Sequence, residues 1–286
     1  AARFIGLGTD ALRPVRTTGT TGRMDPAALA DQIATDRAAG DCPFLIVATA
    51  GTTDMGVIDP LPAIAEVAQA EELWLHVDAA WGGGALLSPN LRGHLSGIER
   101  ADSVTWDAHK WLDVPMGAGM LFHRHERIGE TVFATHTGYV PQPLDGNGGE
   151  PYQRTFQWSR RFIGLKVFMA LASLSESGYA RLVEHQADVA DHLRAKLTSA
   201  GWRVVNETPL PLVCFDHEDL EGLDSEGMQA FANQVNGTGT VWISSVTTPT
   251  SAALRACITS YAANQTDVDA LVDTLETCRT AGAADG

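Results

Sequence analysis

The stretch that decides the fold is LHVDAAWGGGALL, residues 75–87. It reads as a short apolar strand running into a glycine-rich turn. A carboxylate, Asp78, stands where the strand ends. Burying an unpaired carboxylate is costly, so either something cationic faces it or the segment stays wet. Outward from this stretch, strand and helix patterns alternate. DPAALADQIATDRAAG (25–40) has a proline in its first turn, apolar residues three to four apart and a closing glycine, the marks of a helix. FLIVAT (44–49) is an apolar run of the kind buried on both faces of a parallel sheet. PLPAIAEVAQAEE (60–72) is helical, LWLHV (73–77) is a strand, and DSVTW (102–106) and GAGMLFH (117–123) are two more strands. This rhythm predicts an α/β fold with a mostly parallel sheet and helical crossovers. Ligands of such sheets sit beyond the carboxyl ends of the strands, which is where Asp78 lies.

The second half changes character. RRFIGLKVFMALASLSESG (160–178) and YARLVEHQADVADHLRAKLTSAG (179–201) are two successive helices, each closed by glycine. Four short strands follow, WRVVN, LPLVCF, TVWISSV and ALRACITSY, separated by helices near 224–236 and 266–280. That is an α+β pattern. Between the halves, THTGYVPQPLDGNGGEPYQRTF (135–156) is rich in glycine, proline and polar residues. It is too long for a plain connection and is expected to be functional or mobile. The opening AARFIGLG reads as a helix end closed by Gly6 or Gly8, as in a fragment or one half of a nicked chain. Ordinary processing of the terminus gives the same appearance.

With 286 residues the chain has length for two domains. Its 35 acidic against 20 basic residues give a net charge of −15. With no cluster of lysine and arginine to release counterions, nucleic acid and anionic membranes are not expected partners. The four cysteines form no C-x-x-C pair, so neither a zinc knuckle nor a dithiol motif is suggested. Reduced cysteines in a cytoplasmic protein are the expectation. No stretch approaches the roughly 18 apolar residues of a membrane span, and no signal peptide is visible.

DSVTWDAHKWL (102–112) ends a strand and presents Asp107, His109 and Lys110 in close succession. Trp111 and Leu112 place Lys110 in apolar company, where a lysine loses charge and becomes nucleophilic. Such a lysine forms a Schiff base with a carbonyl. With a carboxylate on a neighbouring strand end, the pair suits pyridoxal phosphate, which needs a lysine for its aldehyde and an acid for its ring nitrogen. Ala79 and Ala80 would let a flat ring lie close to the backbone. Plainer readings stand beside these. Asp78 could cap a helix, with Gly82 to Gly84 as turn residues, and Lys110 could be a surface lysine. His76 and Asp78 share a strand face and could hold a metal with His109, or with His123 and His125, although no third ligand stands at a recognisable spacing.

FLIVATAGTTDMGVIDPL (44–61), LWLHVDAAWGGG (73–84) and ADSVTWDAHKWL (101–112), in that order and spacing, resemble the group II pyridoxal-phosphate-dependent amino-acid decarboxylases. The family includes glutamate, cysteine-sulfinate, aromatic-amino-acid and diaminobutyrate decarboxylases. The resemblance implies the fold type I, aspartate-aminotransferase-like architecture and an obligate homodimer. Residues 1–165 would be part of the cofactor-binding large domain. Residues 166–286 would form connecting helices and a smaller α+β domain. By motif match Lys110 carries pyridoxal 5′-phosphate as a Schiff base, Asp78 pairs its pyridine nitrogen and Ala80 packs on its ring. His109 faces the cofactor phosphate or the substrate. Thr49 stands close to the cofactor, with Thr52 a further candidate. Asp107 stands where the animal enzymes commonly carry asparagine; a carboxylate would repel phosphate, so a capping role is expected there. The segment 135–156 corresponds to the family's mobile catalytic loop. Tyr152 is the match to its proton-donating tyrosine and Tyr139 the alternative. Arg160 and Arg161 match a double arginine at the start of the long helix.

The implied reaction removes the α-carboxylate of an L-amino acid, releasing carbon dioxide and the amine. HVDAAWGGG and GTTDMGVIDP are more similar to the glutamate and cysteine-sulfinate branch than to the aromatic one, which points to an acidic substrate. No arginine clamp for a carboxylate is recognisable from sequence. An aldehyde synthase or aminotransferase on the same fold, or a non-catalytic truncated partner, is the alternative. Family members carry an amino-terminal portion with a ring-stacking histidine and a phosphate-gripping turn. This sequence has neither, so its own amino-terminal portion is an expected partner.

Overall fold

A computed structural model describes residues 2–19, 22–133 and 151–284. A two-stranded ribbon, β1 (Thr17–Thr18) with β2 (Arg23–Met24), precedes α1 (Pro26–Ala38). Asp25 caps α1 by accepting from the Ala27 amide at 3.0 Å, with Pro26 preset for the first turn. There follow β3 (Leu45–Thr49), α2 (Leu61–Ala70), β4 (Trp74–Asp78), β5 (Ser103–Asp107), β6 (Gly119–His123) and the short α3 (Ile128–Phe133). The sheet order is β3-β4-β5-β6. The first three strands are parallel, in a register that sets Thr49 beside Asp78 and Asp78 beside Thr105. β6 returns antiparallel to β5.

The sequence expectation of strands buried on both faces fails at β3. Ile46 and Ala48 point into the core, whereas Leu45 and Val47 are 43% and 48% exposed. β3 is an edge strand. The buried residues of α1 and α2, Leu29, Ile33, Leu61 and Ile64, share a core with the Ile46 side of the sheet. The opposite face of the sheet leaves Leu45, Val47 and Leu121 open.

The two helices expected between 160 and 201 are present and run on without a linker as α4 (Gly164–Ser199), meeting at a kink at Ser175 with φ 61° and ψ 170°. The break falls three residues before the expected stop at Gly178. The Ser175 hydroxyl accepts from the Gly178 amide at 3.4 Å, so the serine restarts the helix and Gly178 continues it. A four-stranded antiparallel sheet follows, in the order β7 (Arg203–Val204), β8 (Leu212–Asp216), β10 (Ala252–Cys257), β9 (Ser244–Thr247), with α5 (Ser225–Gly237) and α6 (Gln265–Ala284). β8 is buried along its whole length. Leu212 and Cys214 enter the core beneath the parallel sheet, while Val213 and Phe215 enter a second core with α5 and α6. One strand thus joins the two halves of the molecule. Asn206 reinforces the joint: its amide donates to the Met55 and Leu212 carbonyls at 2.8 and 3.1 Å and accepts from the Cys214 amide at 2.8 Å.

Candidate active site

The ends of β3, β4 and β5 bring the sequence-identified residues together. Thr49 and Asp78 are register partners on adjacent strands. The Ala79 amide donates to the Thr105 carbonyl at 2.9 Å, and the Asp107 amide to the Ala80 carbonyl at 3.1 Å, which fixes the Asp78–Ala80 segment against the turn bearing Lys110. Asp78 Oδ1 accepts from the Ala80 amide at 3.0 Å. That oxygen closes a local turn and does not cap the following 3-10 helix (Gly82–Leu87), whose N-cap is Trp81 with no side-chain capping bond. No ion pair reaches the Asp78 carboxylate among the described residues. Lys110 instead pairs with Asp107, Nζ to Oδ2 at 3.0 Å, and its amide donates to the Asp107 carbonyl at 3.1 Å. His109 Nε2 lies 3.9 Å from the same Asp107 oxygen, and His109 Nδ1 is buried with no partner among the described residues. Asp107 is thus the hub of this turn, pairing with Lys110 through its side chain and closing the turn through its backbone carbonyl.

The glycine run is explained by close approach. A Cβ on Gly82 would stand 2.1 Å from the Ala50 carbonyl oxygen. One on Gly83 or Gly84 would stand 2.7 Å from the rings of Trp106 or Trp111. These glycines form a tight 3-10 helix (Gly82–Leu87) pressed between the strand ends and two tryptophans. Trp81 is buried and stacks on Trp111, centroids 5.2 Å apart and planes 9° from parallel. It is a core residue tying the Asp78 segment to the Lys110 turn.

His76 serves as a structural link. Its Nδ1 lies 2.8 Å from Ser103 Oγ and its Nε2 3.2 Å from Thr105 Oγ1, and burial pushes its pKa down. Among the described residues no three His, Cys, Asp or Glu side chains converge as metal ligands. Asp59 was not singled out in sequence. Its buried carboxylate accepts from the amides of Met24 and Thr49, both at 2.8 Å, and burial pushes its pKa up. It anchors the end of β3, and with it Thr49, to the β1–β2 ribbon.

An arginine unreadable from sequence completes the arrangement. Arg255 on β10 donates through Nη2 to the Thr53 carbonyl at 2.7 Å and through Nε to the Asp54 carbonyl at 3.0 Å. It lines an open cavity of about 580 Å³ together with Thr49, Thr52, Thr53, Asp54 and Ser244 to Val246. Arg255 lies some two hundred residues from Thr53 in sequence, so no local pattern announces it. Tyr152 lies in a 3-10 turn (Pro151–Arg154), its ring 5.1 Å from Trp158 and its hydroxyl accepting from Gln153 Nε2 at 3.4 Å. No hydrogen bond or ring contact joins it to Lys110, Asp78 or Thr49 among the described residues. Tyr139 lies outside the described residues.

Residues 1–218 match the model of the pyridoxal-dependent decarboxylase conserved domain. The chain belongs to the pyridoxal-dependent decarboxylase family. It is 36% identical over 223 residues to human cysteine sulfinic acid decarboxylase, spanning 75% of this chain and 44% of that protein. The crystal structure of mouse CSAD in apo form superposes with a TM-score of 0.85 at 32% identity, over 97% of this chain and 60% of that one. That of Oryza sativa TDC with PLP and tryptamine gives 0.90 at 25% identity, over 98% and 59%. The chain thus spans about half the length of the relatives it matches. The architecture is the α/β fold of these pyridoxal-phosphate enzymes.

The residues present fit the family's cofactor. Among the described residues no lysine or arginine pairs with Asp78 and a buried imidazole nitrogen on His109 has no partner beside the lysine turn, while Ala80 keeps the approach free of bulk.

Proposed function

We propose that the protein containing this chain decarboxylates an L-amino acid with pyridoxal phosphate as cofactor. The observation that carries the reading is the separation of charges at the strand ends. Lys110 has its carboxylate in Asp107, so Asp78 is left without a lysine or arginine partner among the described residues. Lys110 would hold the cofactor aldehyde, Asp78 its ring nitrogen, and Ala80 and Thr49 would lie against it, with His109 on the phosphate or substrate side. When bound, the cofactor supplies a sink for the electron pair left as the carboxylate departs. The chain's own residues do the rest. Asp107 holds the lysine amine in place, and Arg255 presents a guanidinium beside Thr49 to orient the substrate carboxylate. Tyr152 is the proposed donor of the proton that replaces the lost carboxylate.

An acidic amino acid is the proposed substrate, supported by the identity to cysteine sulfinic acid decarboxylase. The proposed division of the chain, at 165/166, falls in the first turn of α4 and sets the sheet of β3 to β6 apart from the antiparallel sheet. The open face bearing Leu45, Val47 and Leu121 supports an amino-terminal portion as a covering partner, within a homodimer. No helix among the described residues is long and apolar enough to cross a membrane. The four cysteines are unpaired, which supports a reducing cytoplasmic location.

The test is borohydride reduction of the purified protein with cofactor, followed by peptide mass mapping and product analysis. The expected result is an adduct on Lys110 and release of carbon dioxide with the amine from an acidic amino acid. A yellow protein whose adduct maps to another lysine, or that yields aldehyde and peroxide in place of amine, would overturn the reading.

A further inference from the structure

Gln186 lies on α4 and is fully buried. Its Oε1 accepts from Trp111 Nε1 at 2.6 Å, and its Nε2 donates to the Thr259 carbonyl at 2.6 Å. Trp111 is the residue after Lys110 and is itself fully buried. Thr259 follows the end of β10, the strand that carries Arg255. One amide therefore clasps both the lysine turn and the arginine strand. Its neighbours along α4 make parallel links. Ser88 Oγ donates to Glu184 Oε1 at 2.6 Å, and His185 Nε2 lies 2.8 Å from the Ala263 carbonyl. Glu184 therefore grips the segment after the glycine helix, and His185 the segment after β10.

A hydrophobic side chain would fill this position at lower desolvation cost, since Val183 and Ala187 beside it are packed in the apolar core. A fully satisfied amide in that setting fixes one geometry, because any shift of either partner breaks a short bond in a low-dielectric interior. Trp111 has no freedom to absorb such a shift. Trp81 is stacked on one side of it, and Gly84 lies where a methyl would come within 2.7 Å of its ring.

We propose that Gln186 is a positioning residue that sets the separation between the Lys110 turn and the strand bearing Arg255. The inference rests on the decarboxylase reading. Lysine amine and arginine guanidinium must reach the amino and carboxylate groups of the same amino acid at once, and a small misplacement of one relative to the other lowers the rate steeply.

The test uses the complete protein with cofactor and three variants. Gln186→Met keeps length and removes both hydrogen bonds. Gln186→Glu keeps the acceptor for Trp111 and loses the donor to Thr259 unless its carboxyl is protonated. Val189→Ala, in the second core on the same helix, lowers stability without touching either partner. All are assayed for the borohydride adduct on Lys110, for kcat and KM per bound cofactor, and for circular dichroism of the visible cofactor band. For Gln186→Met the expected result is an intact Lys110 adduct, an altered visible dichroism and a fall of at least fivefold in kcat/KM per bound cofactor. Val189→Ala keeps the wild-type values of all three. Gln186→Glu is expected to gain activity on acidification relative to wild type, as its protonated carboxyl regains the donor. Should Gln186→Met keep kcat/KM within twofold, or match Val189→Ala, the positioning role is overturned while the decarboxylase reading stands. Absence of a Lys110 adduct in the wild type overturns both. If Gln186→Met does not accumulate, the Gln186→Glu pH profile decides, and a profile parallel to wild type refutes the proposal.

Discussion

Replacing Gly82 with alanine puts a methyl carbon 2.1 Å from the carbonyl oxygen of Ala50, 3.0 Å from its carbonyl carbon and 3.2 Å from the Gly51 Cα. Ordinary contact begins at 3.4 Å, so the two backbones must part by more than an ångström. Neither can move alone. Ala50 is fully buried and its amide donates to the Asp78 carbonyl at 2.8 Å; Gly51 donates to the Val57 carbonyl at 2.9 Å. On the other side, the Gly83 amide donates to the Ala79 carbonyl at 2.8 Å. Overpacking costs about 1–3 kcal/mol where side chains can give way, and more where they cannot. With backbone on both sides the cost is expected at or above about 3 kcal/mol. At about 2–4 °C per kcal/mol for a chain of this size, Tm falls by about 6–12 °C. Thermal unfolding followed by circular dichroism measures this, with Gly93→Ala as control. A methyl on Gly93 would meet nothing within 4 Å, so its variant is expected within about 0.5 kcal/mol of wild type. A Gly82→Ala protein that melts within about 2 °C of the Gly93→Ala protein would refute the close-approach explanation of the glycine run. The displaced strand ends carry Thr49 and Asp78, so cofactor content is expected to fall with Tm.

Three further outcomes are expected. Asn206→Ala leaves the Met55 carbonyl and the Cys214 amide buried without partners and is expected to cost about 2–4 kcal/mol in denaturant unfolding. Burial depresses the His76 pKa, so its folded state favours the neutral ring. The stability it contributes is present above the unfolded histidine value of about 6.5 and is lost as pH falls through the lower folded value; melting curves from neutral to acid pH should therefore decline less for His76→Gln than for wild type. Burial pushes the Cys214 thiol up to about 12, whereas Cys42 is exposed. A thiol reagent at mildly alkaline pH should thus label Cys42 at once and Cys214 only on unfolding.

The chemistry was legible where it is local. Asp78 and Lys110 each follow a recognisable strand, and a carboxylate or amine just past an apolar run stands out against what surrounds it. The parallel order of β3 to β5 followed from alternation with helices. The open face of β3 did not, because FLIVAT has the same apolar run whether its second face is covered or bare. The break in α4 was misplaced for a related reason. Glycine marks a helix stop on average, but here the Ser175 backbone breaks the helix and its hydroxyl accepts from the Gly178 amide to start the second one three residues earlier.

Periodicity and motif by themselves determined the element types, the strand ends that bear Asp78 and Lys110, and the family's cofactor. Those depend on near neighbours in the chain, whose side-chain chemistry is written in order. The tertiary structure alone decided that Asp107 partners Lys110, that Asp78 has no lysine or arginine partner among the described residues, that Asp59 anchors Thr49, that the three glycines are steric necessities, and that Arg255 and Gln186 each join distant segments. Each of these is a contact between groups brought together by strand register or packing of β8 and α4. Such contacts depend on where chains cross, and crossing points leave no periodic trace in the sequence.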